Sequence, residues 1–304
     1  MDREGTLKLP YERIVAIWKA NMNTGLWVAN LRARELMDEG VIPPGTGSPA
    51  RNPAAWYNLS GQFAVEAYGL IAPGMPQTAT DIGLHYAAIA VSGEPLQATQ
   101  YWTSLISAAM VDNRPLSVLI AEGIAAVDPQ SAMAEVVGDA LNLHQAHPAD
   151  WQAARRALDA KWRIQRGWNA NSTPTNGGLV VLALRYGGGD FYRTLQYAMA
   201  LGHDADCNAA TAGTVVGCHL GYQKIAALPG YRMADRFVNL TRPELPAETT
   251  VSEQAAMLLR VCERVILENG GQVMEIAGEP GYQVRRQPVR NVEGLPTDVR
   301  RPPL

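Results

Sequence analysis

The sequence lacks what several protein classes require. It has 3 cysteines in 304 residues, Cys207, Cys218 and Cys262, and no Cys-x-x-Cys. An odd, scattered set argues against a disulfide framework and a zinc knuckle, and fits free thiols in a reducing compartment. There is no run of about 18 apolar residues, so no transmembrane span is expected. Met1 is followed by Asp, Arg and Glu rather than by an apolar stretch, so no secretory leader is read and a cytoplasmic location is expected. A net charge of −3 and a pI near 6.0 leave no basic field for nucleic acid or an anionic membrane. The sequence has no Gly-x-Ser-x-Gly elbow and no Gly-rich phosphate loop ending in Lys-Ser/Thr.

Strand signals are scarce too, while helical periodicity is present almost throughout. The apolar spacing predicts helices over 11–20, 26–39, 54–71, 77–91, 97–111, 116–127, 131–143, 149–165, 177–186, 191–201 and 250–267. Pro, Gly or Asn-Arg-Pro closes most of them. The triple glycine at 187–189 followed by Asp190 reads as a helix stop and a new N-cap. Residues 272–277 read as a short strand. From Glu279 the chain holds five Arg and five Pro with little apolar matter, so 279–304 reads as a mobile, flexible tail. With 47% hydrophobic residues, the remainder can bury a large core. The fold class is all-α: one compact multi-helix domain over 1–278.

The chain is organised around 201–221, LGHDADCNAATAGTVVGCHLG. Asp204 and Asp206 flank one small residue. Gly213, Gly217 and Gly221 follow at helical spacing, which predicts a face packed closely against another helix. Gly217→Leu would then overpack it. Gly202 ahead of the acids places them at a loop-to-helix junction. Helix capping explains one Asp at such a junction. Two carboxylates directed into one concavity would instead suit a hard cation such as Mg2+, Mn2+ or Ca2+.

Other chemistry-bearing residues read more plainly. His85 reads as a satisfied histidine on a helix, His144 and His147 as solvated, and His219 as packing. His203 adjoins Asp204 and is a candidate to orient a carboxylate. Gln62 and Glu66, at i and i+4, read as a solvated pair.

The stretch Gly202-His-Asp-Ala-Asp-Cys-Asn-Ala-Ala-Thr-Ala-Gly213 resembles the C-terminal metal motif of the ADP-ribosylglycohydrolase family. Two upstream blocks are similar as well: Asn176 through Leu184 to Tyr186-Gly-Gly-Gly-Asp190-Phe191, and Gly61-Gln62 through Tyr68-Gly69 to Pro73-Gly74-Met-Pro76. The resemblance covers about residues 10–240. It implies an all-α fold and hydrolysis of the glycosidic bond of an ADP-ribosylated protein or a small ADP-ribose conjugate. It also implies a Mg2+ site, usually of two ions, with Mn2+ as an alternative. Carried over by position, Asp204 and Asp206 are metal ligands and catalytic residues, and Cys207 stands where many members have a ligating Thr.

The family's N-terminal block carries an Asp-Asp pair, and this sequence contains no Asp-Asp. Val91 stands where many members have a His. The domain therefore reads as N-terminally incomplete, with one of two acidic ligand sets, and weak Mg2+ binding with poor turnover is the expectation. The alternative is a catalytically inactive helical module that binds ADP-ribose or a protein partner.

Overall fold

The computed structural model describes residues 1–276 and 278–295. The helices run, in chain order, α1 (Tyr11–Asn21), α2 (Val28–Asp38), α3 (Ser60–Phe63), α4 (Glu66–Leu70), α5 (Pro76–Ala87), α6 (Glu94–Ala109), α7 (Leu116–Glu122) and α8 (Ala132–Ala146). Then come α9 (Trp151–Asp159), α10 (Thr173–Gly187), α11 (Phe191–Leu201), α12 (Ala205–Leu220), α13 (Tyr222–Ala226) and α14 (Val251–Glu268). Among the described residues the strands form two antiparallel pairs: β1 (Phe237–Val238) with β2 (Glu248–Thr249), and β3 (Gln272–Ile276) with β4 (Glu279–Gln283). The all-α expectation therefore holds. No helix among the described residues is long and apolar enough to cross a membrane.

Two helices are buried on nearly every side, α6 and α10. In α10, the apolar run 179–184 explains this directly, because a helix apolar all round belongs inside. It packs against α8, α11 and α12. In α6, several buried hydroxyls are satisfied by carbonyls of the chain packed around it. Thr99 Oγ1 donates to the Gly61 carbonyl (3.0 Å) and Ser107 Oγ to the Ala72 carbonyl (2.5 Å). A second apolar cluster joins Ile71, Met75, Ala79 and Ile82 to Val261, Val265 and Ile266 of α14. The Thr250–Glu253 capping box starts α14.

Several expectations need correction. The helix predicted over 54–71 is broken into α3 and α4. Asn58 pairs with Ser172 as an isolated bridge, and its Oδ1 accepts from Ser60 N and Oγ (3.0 and 2.8 Å), which starts a new helix at Ser60. Gly61 must also lie against α6, since a Cβ there would come within 2.1 Å of the Pro95 carbonyl oxygen. Helix 149–165 ends as an α-helix at Asp159 and continues as a π-helical segment over Ala160–Gln165.

The described part of the tail is hydrogen-bonded to the helical body. Gln287 N donates to the Gly74 carbonyl (2.9 Å), and Gln287 Nε2 to Thr78 Oγ1 (2.9 Å). Val292 N donates to Gln100 Oε1 (2.8 Å). These backbone and amide bonds need no apolar side chains. Residues 296–304, and Ala277 at the end of the expected strand, lie outside the described residues.

The glycine stripe of α12 is not its core face. The buried positions are Asn208, Thr211, Ala212, Val215 and Val216. Gly217 is only part-buried, and Gly221 is the C-cap at φ +79°. A Cβ at Gly217 would meet Ile225 Cδ1 at an ordinary 3.7 Å. Gly217→Ala should therefore stabilise the protein by about 0.5–1 kcal/mol, through helix propensity alone. Urea titration checks this, and a lowered midpoint would show that the face is tightly packed after all. Of the stripe, Gly213 comes nearest to another helix, a Cβ there lying 3.0 Å from Leu195 Cδ2 of α11, whereas at Gly61, Gly69 and Gly83 it would lie closer still to α6, at 2.1–2.9 Å.

Candidate functional site

The chain leaves α11 at Leu201 and enters α12 at Ala205, so only three residues turn it. Gly202 is at φ +80° and His203 at φ +56°. Left-handed backbone is routine for glycine and uncommon for any residue with a Cβ. Asp204 then occupies the N-cap position, yet its carboxylate makes no capping hydrogen bond to the first turn. Asp190, by contrast, caps α11 through Arg193 N at 2.7 Å. The capping reading of Asp204 thus fails, and its carboxylate is left for other work.

That carboxylate meets two neighbours. One ligand atom each from Asp204, Asp206 and Cys207 lies within 4.8 Å of the others. Asp206 is exposed, while Asp204 and Cys207 are part-buried. The α12 N-terminus adds the positive end of its dipole, which favours anions at this spot. Two carboxylates set this way match the oxygen preference of a hard divalent ion, with waters filling the other positions. The thiol matches less well. Burial pushes the Cys207 pKa far above its ordinary range, and a hydrogen bond to Asp204 and the charges of Asp204, Asp206 and Glu66 add to that. A protonated thiol is a weak partner for Mg2+.

Behind the acids stands a row of buried amides. Asn176 Oδ1 accepts from Asp204 N (3.3 Å) and from Asn208 Nδ2 (2.9 Å). Asn176 Nδ2 donates to the carbonyls of Ala170 (2.7 Å) and Ser172 (2.9 Å). Asn208 also donates to the Gly202 carbonyl (3.2 Å) and accepts from Gln62 Nε2 (3.0 Å). All three amides are 0% exposed. This row ties α3, α10 and α12 together under the turn that carries the acids.

Gln62 and Glu66 are therefore not a solvated pair. The Glu66 carboxylate accepts from Thr211 Oγ1 at 2.7 Å, on the buried face of α12. Burial raises its pKa to about 7, the hydrogen bond from Thr211 opposing the rise only in part. The available signal was the pair Asn208 and Thr211, polar residues spaced i, i+3 on a helix of small residues.

The His203 ring is engaged with α9 rather than with the Asp204 carboxylate. Its Nε2 lies 2.8 Å from Asp159 Oδ1, on α9. Burial lowers the His203 pKa, more than its contact with Asp159 raises it. The other histidines are elsewhere. His85 Nε2 lies 2.8 Å from the Leu9 carbonyl and the ring stacks on Tyr11, a satisfied histidine as expected. His144 packs edge-on to Tyr186. The three cysteines are free.

A family model described as ADP-ribosylglycohydrolase matches residues 12–256. No curated protein and no solved structure matches the chain.

Proposed function

Because the chain belongs to the ADP-ribosylglycohydrolase family, we propose that it hydrolyses the glycosidic bond of an ADP-ribose conjugate, with Asp204 and Asp206 holding a Mg2+ or Mn2+ ion. The observation that carries this reading is the uncapped Asp204 carboxylate brought together with Asp206 at the α12 N-terminus. When bound, such an ion supplies Lewis acidity that orients the ribose hydroxyls and makes a water a better nucleophile.

The chain's own residues do the rest. Asp204 and Asp206 would hold the ion, their charges offsetting its own, while cleavage at the anomeric carbon passes through an oxocarbenium-like transition state. Asn176 and Asn208 fix the turn beneath them, so the carboxylates need little reorganisation as charge develops. The water oxygen bonds to the anomeric carbon, the bond to the acceptor breaks, and the water's proton leaves with the acceptor. Cys207 stays protonated and lines the site without charge.

Two carboxylates from one junction hold a single hydrated ion better than a two-ion cluster, so turnover is expected to be slow. The test is release of ADP-ribose from an ADP-ribosylated protein and from O-acetyl-ADP-ribose, with Mg2+ and with chelator. Release that is lost with chelator and with Asp206→Ala is the expected result. Saturable binding of ADP-ribose without any release would overturn the hydrolase reading and favour the inactive binding module.

A further inference from the structure

We propose that Asp159 and Arg155 on α9 are positioning residues for the Asp204–Asp206 pair, acting through His203 as a latch on the turn between α11 and α12. The inference rests on reading that pair as the ion-holding site.

Arg155 and Asp159 are spaced i, i+4, so they share a face of α9 and form an ion pair there. That face meets the turn at two points. Arg155 Nε donates to the carbonyl of Leu201, the last residue of α11. Asp159 Oδ1 lies 2.8 Å from His203 Nε2, whose side chain is only 6% exposed. With Nε2 protonated it donates to Asp159, and Arg155 Nη2 lies 3.2 Å from the same nitrogen, so both members of the ion pair face the imidazole. The latch therefore grips the residue before the turn and the residue just ahead of Asp204.

His203 is a non-glycine residue held in left-handed backbone. Such a conformation persists only where the surroundings over-determine it, and it clusters at functional sites. Its φ sets the direction in which the next residue leaves, and so where the Asp204 carboxylate points. On the other side, Asn176 Oδ1 takes the Asp204 N–H. Asp204 is thus clamped from α9 through His203 and from α10 through Asn176.

The base of the latch is itself fixed. Asp159 is the last residue before the π-helical segment, which is pinned to α8. Trp162 Nε1 donates to Asp139 Oδ2 (2.8 Å) and Lys161 Nζ to Asp139 Oδ1 (2.9 Å). A π-helical turn rotates the residues after it onto a different face, and such turns recur near functional sites. Here it lets α9 face the turn while Lys161 and Trp162 face α8.

The experiment uses the full chain as wild type, Asp159→Ala, Asp159→Asn, His203→Gly and Asp206→Ala. Hydrogen–deuterium exchange on the metal-free protein reads the order of residues 201–207. Mn2+ titration, followed by the EPR signal of the free ion, reads the site. In Asp159→Ala, exchange over 201–207 should quicken about tenfold or more while α10 stays protected. Mn2+ affinity should fall about 10-fold or more, the usual loss when a partner behind a ligand is removed. Asp159→Asn keeps an oxygen acceptor for Nε2–H and should recover most of both effects.

His203→Gly tests the same link if Asp159→Ala does not fold, because glycine takes the positive φ freely but removes the imidazole. Unchanged exchange over 201–207 would overturn the latch whatever Mn2+ does. Faster exchange with unchanged Mn2+ affinity, where Asp206→Ala still abolishes binding, would overturn the positioning role. No Mn2+ binding by the wild type would overturn the ion reading, a failure distinct from that of the latch, which the exchange data decide alone.

Discussion

Asn176→Ala is expected to destabilise the protein by about 3–5 kcal/mol and to disorder the acidic turn with it. Asn176 makes four hydrogen bonds from a position that is 0% exposed. Alanine removes all of them at once. The Asp204 N–H and the carbonyls of Ala170 and Ser172 lose this partner, and Asn208 Nδ2 keeps only its bond to the Gly202 carbonyl. A buried polar group left bare costs about 1–3 kcal/mol. The losses do not add fully, because a water entering the gap restores some bonds. The measurement is the urea midpoint at constant slope. A loss under about 1 kcal/mol would mean that water replaces the amide well, and that the row of amides is not what fixes the turn. Asn176→Asp separates acceptor from donor: it keeps the oxygen facing Asp204 N but turns the donor into a buried charge, and should also destabilise.

This effect could not be read from local pattern. Asn176 was legible as part of a block, but its partners lie 28 and 32 positions away. Periodicity located most helix ends because Pro, Gly188, Asp190 and Thr250 act on their own neighbours. It failed where the cause was distant. The helix predicted over 54–71 breaks at contacts with Ser172 and Pro95, neither within its own window. Gly213, Gly217 and Gly221 stand out because they follow one another at helical spacing, while the glycines set against α6, Gly61, Gly69 and Gly83, sit on three helices.

The acids were legible for a similar reason: Asp204 and Asp206 are close in sequence and at a helix start, so local geometry nearly suffices to bring them together. Asp159 and His203, 44 positions apart, carry no such local sign. Glu66 looked solvated because i, i+4 polar pairs usually are. What buries it is α12, with Thr211 145 positions on.

Glu66→Gln is expected to stabilise the protein above pH 7 and to change little near pH 4. The Glu66 pKa is raised from an ordinary 4.5 to about 7 in the folded chain, mainly by burial. Below about 4.5 the group is protonated whether the chain is folded or not, so it costs nothing. Between 4.5 and 7 the unfolded chain has lost the proton while the folded chain keeps it. The folded state then binds more protons, so stability falls as pH rises, and the loss is complete above about 7. At 1.36 kcal/mol per unit, the ceiling is about 3 kcal/mol, and the partial exposure of the residue trims it. Glutamine keeps the shape and an oxygen for Thr211 Oγ1 without the charge. Melting temperatures of wild type and variant, taken from pH 4 to 9, isolate this group because every other titration cancels in the difference. The two curves should coincide in acid and separate through pH 5–7, with the variant higher. Parallel curves would show an ordinary carboxylate in contact with water. Mg2+ extends the test to the site. A cation beside Asp204 and Asp206 would favour ionised Glu66, whose charge already reaches Cys207. Saturating Mg2+ should then narrow the gap between the curves at pH 8, and an unchanged gap would place Glu66 outside the reach of the ion.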